Sequence, residues 1–122
     1  MSVIAVYKYD INPGRLPDFL NKLAQAAEPK FNSAVMPKSV RMFRSTVPGP
    51  GHGLIVMIEY EDMAAYGART AFESANAAWR NLFAPRPDSP EMLISVELLT
   101  EIPPSIVDDE LQERGPIGFR LC

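Results

Sequence analysis

Two tyrosines two residues apart, Tyr7 and Tyr9, are the first candidates for chemistry in this chain. Residues i and i+2 of a strand share a face, so both phenols can project into one cavity and grip or wall in a planar molecule. Glu59 closes a later apolar run and is the candidate base, because burial would raise its carboxyl pKa. His52, between Gly51 and Gly53, is the sole histidine and the only side chain whose ordinary pKa lies near neutrality. Arg41 and Arg44 fall on opposite faces of their strand, so at most one can meet the helices. Arg44 is the candidate there, where a guanidinium could hold a carboxylate bidentately. Trp79, the only tryptophan, would be an aromatic wall. Each residue also has a plainer role. Strand tyrosines and a helix tryptophan can simply pack, an arginine can end in a strand-edge salt bridge, a glutamate can sit at a rim, and a histidine between glycines can face solvent.

The residue types exclude more than they assign. One histidine and one cysteine, Cys122, leave no nucleophile-histidine-acid arrangement, no catalytic zinc set and no intrachain disulfide. Cys122 reads as an incidental thiol, which suits a reducing cytoplasm. The glycines of Pro48-Gly49-Pro50-Gly51-His52-Gly53 do not make a phosphate loop, because a strand follows them and no lysine-serine ending is present. A net charge of −3, without a basic stripe, lacks the phosphate-neutralising charge that nucleic acid requires. The opening MSVIAVYKYD has a four-residue apolar run, too short for a signal peptide or a membrane span. No metal or cofactor is expected. Catalysis here would have to be cofactor-independent, as in an oxygenase or isomerase that needs a pocket, a base or donor, and aromatic walls.

The elements that must position these groups follow from periodicity. At 122 residues, 47% of them apolar, the chain suits one domain. Ser2 to Tyr9 reads as a strand apolar on both faces, and Asn12-Pro13-Gly14 as a turn. A helix starts near Arg15, with Phe19, Leu20, Leu23, Ala26 and Ala27 on its apolar face, and Pro29 stops it. Lys38–Val47 and Leu54–Tyr60 form a hairpin. Asp62 caps a long helix from Met63 to about Phe83, with Ala68, Phe72, Ala75, Trp79 and Phe83 at core spacing. Met92–Ile102 is the last strand.

The order strand, helix, strand, strand, helix, strand predicts an α+β, ferredoxin-like βαββαβ domain over residues 1–102. It has a four-stranded antiparallel sheet with both helices on one face. Val3 with Ile4, Leu54 with Ile55 and Leu93 with Ile94 keep both sheet faces apolar, so a second copy is expected to cover the open face. Such a homodimer would bury about 2,000 Å² or more. Residues 103–122 form a tail whose hydrophobes, among them Ile106, Val107 and Phe119, suit packing on the domain or on the partner subunit.

The run Tyr60-Glu61-Asp62-Met63-Ala64-Ala65-Tyr66, then Asn76-Ala77-Ala78-Trp79, together with Asn12-Pro13-Gly14-Arg15, resembles the NIPSNAP family within the dimeric α/β-barrel superfamily. The similarity covers about residues 2 to 102. It implies the dimeric barrel more strongly than an activity, since the superfamily includes antibiotic-biosynthesis monooxygenases, haem-degrading enzymes and muconolactone isomerases. The haem-degrading branch pairs its helix tryptophan with a later histidine. No histidine follows Trp79, so haem degradation is not expected. The expected function is binding of an apolar or aromatic small molecule between sheet and helices. The alternatives are cofactor-independent monooxygenase or isomerase chemistry, or an interaction role with the pocket filled by side chains.

Overall fold

The computed structural model describes residues 2–45 and 53–102. His52 with the proline-glycine loop before it, and the tail from residue 103 to Cys122, lie outside the described residues.

The chain forms β1 (Val3–Ile11), α1 (Leu16–Ala26), a 3-10 turn at Pro29–Phe31, β2 (Ser39–Arg44), β3 (Gly53–Tyr60), α2 (Met63–Ala75), α3 (Ala77–Phe83) and β4 (Glu91–Thr100). Gly14 makes the turn after β1 with φ +77°, a conformation that only glycine adopts without strain. Pro17 sits harmlessly in the first turn of α1. The expected single helix from Met63 to Phe83 is two helices. Asn76 takes an extended conformation (φ −91°, ψ 110°) and its backbone N–H closes the end of α2 on the Glu73 carbonyl. Its side-chain oxygen accepts from the Trp79 N–H at 3.1 Å, capping α3. An asparagine side chain that offers the backbone a partner outside the helix ladder explains the break.

The sheet order is β2-β3-β1-β4 and every neighbouring pair is antiparallel, the split βαβ arrangement that the element order predicts. The register sorts the side chains. Tyr7 pairs with Val56, Ala5 with Ile58 and Val3 with Tyr60, so these six residues share the helix side. Phe19 of α1, fully buried, anchors the core with Ile11, Leu54 and Val56. Its burial contributes about 2–3 kcal/mol of transfer free energy. Leu20, expected on the inward face of α1, is exposed, while Leu23 turns inward as expected and Lys22 joins it.

The opposite face carries Ile4 and Val6 of β1, Ile55 and Met57 of β3, Phe43 of β2 and Leu99 of β4. A bulge interrupts the β1–β4 ladder. Lys8 pairs with Ser95 but Tyr9 pairs with Leu93, leaving Ile94 as the additional residue. Below the bulge Ile11 pairs with Glu91, which places that carboxylate on the helix side.

Candidate functional site

Between the sheet and the helices lies a cavity of about 740 Å³, within the usual range for small-molecule sites. Its floor is the helix side of β1 and β3, with Tyr7, Tyr9, Val56, Ile58 and Tyr60. Leu23 of α1, Arg69 and Glu73 of α2, and Trp79 and Phe83 of α3 form the opposite wall. The segment Pro85-Arg86-Pro87 and Met92 stand at its rim.

The polar part of the cavity is built around Arg69, only 3% exposed. Its Nε donates to Glu73 Oε2 at 2.8 Å and its Nη1 donates to the Phe31 carbonyl at 2.6 Å. Ser33 Oγ and Met36 Sδ lie 3.3 and 3.4 Å from Nη1. The Phe72 and Trp79 rings flank the guanidinium carbon at 4.9 and 5.2 Å, and Trp79 packs edge-on against Phe31. A buried charge needs such enclosure, because an unpaired guanidinium in this position would cost several kcal/mol. Burial raises the Glu73 carboxyl pKa, and the hydrogen bond and positive charge of Arg69 hold that rise in check.

Tyrosines face this pair. Burial, followed by the negative charge available from Tyr66 and Glu73, pushes the Tyr7 phenol up to about 12. The Tyr9 and Tyr60 phenols are also raised, mainly by burial. All three therefore stay protonated at neutral pH and are available as hydrogen-bond donors. Tyr60 is 1% exposed, its ring edge-on to Tyr66. Among the described residues no sealed side-chain polar atom lacks a partner, and Tyr60 makes no side-chain hydrogen bond there. Tyr60 lines the cavity beside Tyr7 and Tyr9.

The structure divides the sequence candidates. Tyr7, Tyr9 and Trp79 line the cavity together. Glu59 does not, since its register places it with Ile55 and Met57 on the open face, where Ser39 Oγ donates to it at 3.3 Å and Lys38 Nζ lies 3.9 Å away. The inward orientation that a candidate base would need is not found. Arg44 pairs with Leu54 and so belongs to the helix side, but it is exposed at the strand end and outside the cavity wall. Arg41 lies on the open face with its guanidinium over the Phe43 ring at 5.1 Å.

Sequence reasoning missed Arg69, Glu73 and Tyr60. It placed Ala68 and Ala75 inward, yet both are exposed. The inward stripe of α2 is Tyr66, Arg69, Thr70 and Glu73, one position from the alanines, with the expected Phe72 half-buried beside Arg69. The i, i+4 spacing of Arg69 and Glu73 was visible, but that spacing usually marks a solvated pair. Among the described residues no group of three or more histidine, cysteine, aspartate or glutamate side chains could hold a metal ion. No described helix is long and apolar enough to cross a membrane.

No protein-family model and no curated protein matches the chain. Solved structures match over most of its length. A protein provisionally called an antibiotic biosynthesis monooxygenase, from Bordetella bronchiseptica, is 20% identical with TM-score 0.59, over 83% of this chain and 97% of that one. An uncharacterised NIPSNAP-like domain protein from Burkholderia xenovorans is 18% identical with TM-score 0.59, over 84% of each chain. A dimeric ferredoxin-like protein from an uncultured marine organism is 15% identical with TM-score 0.59, over 83% of this chain and 98% of that one. The chain thus has the ferredoxin-like fold of NIPSNAP-like and monooxygenase-like proteins, and identities this low establish the fold alone.

Proposed function

We propose that this protein is a homodimer that binds an apolar or aromatic small molecule in the cavity between sheet and helices. The observation that carries the reading is a roomy, mostly apolar cavity lined by Tyr7, Tyr9, Tyr60 and the Arg69–Glu73 pair. Apolar walls supply affinity and the few polar groups fix orientation. The apolar stripe on the open sheet face, from Phe43 through Ile55 and Met57 to Ile4, Val6 and Leu99, supports the pairing of two copies. So does the dimeric description of one structural neighbour. Native mass measurement of the purified protein tests both parts. The expected result is twice the 13.5 kDa chain mass plus an adduct of small-molecule size. A bare chain mass at micromolar concentration would overturn the dimer. A preparation that neither carries nor takes up any aromatic compound would overturn the binding reading.

Cofactor-independent monooxygenase or isomerase chemistry is a second reading, favoured by the convergence of phenols and a carboxyl of raised pKa in one cavity. Under it, Glu73 replaces Glu59 as the candidate base. A recovered ligand that gains oxygen in air, or rearranges at constant mass, only in the presence of the protein would favour this reading over simple binding.

A further inference from the structure

The buried charges on the cavity wall are already matched within the protein. Arg69 is closed by Glu73 at 2.8 Å, by the Phe31 carbonyl and by two aromatic rings. Glu91 is closed by Lys22, whose Nζ lies 2.9 and 3.1 Å from its two carboxylate oxygens. The remaining charged groups on the wall, Asp10 and Arg86, are exposed at the rim, where water and salt screen them. Inside, a ligand meets neutral phenols and the outer atoms of an Arg69–Glu73 pair whose two charges cancel. A carboxylate entering here would give up its hydration, approach Glu73, and find the buried cation of the described wall, Arg69, already neutralised. A neutral hydroxyl or ketone of the same shape needs only one hydrogen bond, and a phenol provides it.

We propose, resting on the binding reading above, that Glu73 is the charge-selecting residue of this cavity. By neutralising Arg69 it makes the site prefer uncharged aromatic ligands bearing a hydroxyl or ketone oxygen over aromatic carboxylates of the same shape. Glu73→Gln keeps an oxygen that can accept from Arg69 Nε but removes the negative charge. That frees the guanidinium to attract an anion.

The test is calorimetric titration of the full chain at neutral pH with 2-naphthol and with 2-naphthoate, two probes that share a ring system and differ in charge. The wild type is expected to bind 2-naphthol about tenfold or more tightly than 2-naphthoate, and Glu73→Gln to reverse that order. A wild type that binds the two equally, or prefers 2-naphthoate, overturns the inference and leaves the cavity reading standing. An unchanged preference in a folded Glu73→Gln protein also overturns it. Binding of neither probe by either protein overturns the cavity reading, and this inference with it. Circular dichroism establishes whether Glu73→Gln folds. If it does not, the Arg69→Gln/Glu73→Gln double variant, which lacks both charges, is expected to keep the preference for 2-naphthol. A gain of 2-naphthoate binding in that variant overturns the inference.

Discussion

The two faces of this sheet are built from the same strands, residue by residue in alternation, and they solve opposite problems. On the helix side, charged and phenolic groups lie deep while apolar side chains surround them. Arg69 is 3% exposed and ringed by carboxylate, carbonyl and aromatic partners. On the open side apolar groups alternate with ion pairs open to solvent, with Lys8 3.5 Å from Glu97 and Lys38 3.9 Å from Glu59. A buried polar cluster is costly to keep and selects what may join it. An apolar stripe with solvent-exposed ion pairs beside it is cheap while covered and suits pairing with its own copy. The proposed ligand site uses the first kind of surface and the proposed pairing the second.

The contrast can be broken from either side. Arg69→Met should have the largest effect on stability, because it strands the Glu73 carboxylate and the Phe31 carbonyl inside the protein. We expect a loss of about 3 kcal/mol or more, read by denaturant unfolding. Met57→Lys attacks the other face by placing a cation opposite Arg41 in the register. It should weaken dimerisation by about 100-fold, seen as a fall in light-scattering mass, while each subunit keeps its circular dichroism spectrum.

The phenols give a pH signature confined to the helix side. Tyr7 ionises near 10 when unfolded and at about 12 in the native chain. Between those values the native state binds more protons, so the stability is fully present below pH 10 and is lost as pH rises towards 12. The loss should be about 2 kcal/mol after allowing for the partial exposure of this side chain, and Tyr7→Phe should flatten it. Smallest of all is Tyr60→Phe. Stability should change by less than about 0.5 kcal/mol, because the hydroxyl holds no described partner, while affinity for 2-naphthol should fall about fivefold. A large loss of stability would show that this hydroxyl serves the fold instead of the cavity.

Much of this architecture was legible in the residues. The paired apolar parities of Val3 with Ile4 and Leu54 with Ile55 announced two faces that each need covering, and period-2 alternation placed Tyr7 and Tyr9 together. The cavity chemistry was harder to see because it depends on helical phase. Alanines fit either face of α2, so Ala68 and Ala75 carried no information about which side turns inward, and the stripe was set one position off. Tyr60 could have been found by extending the parity of Leu54, Val56 and Ile58. The same alternation placed Glu59 with Ile55 and Met57, but only the helices' position decides which of the two faces encloses a cavity. Asn76 lacked the usual signature of a helix end, since neither glycine nor proline accompanies it.

The bulge at Ile94 lets this strand differ by a single residue in length without turning its side chains over. Deleting Ile94 would leave an even ladder in which Tyr9 still faced Leu93 and Ile11 still faced Glu91. Glu91 would keep its place beside Lys22, and Val96 to Thr100 theirs beside Val3 to Tyr7. What would turn Glu91 towards the open side is a slip that paired Ile94 with Tyr9 in an unbroken ladder. The extra residue keeps both halves of β4 in phase with β1, and a lineage could lose it by a one-codon deletion without moving the cavity mouth.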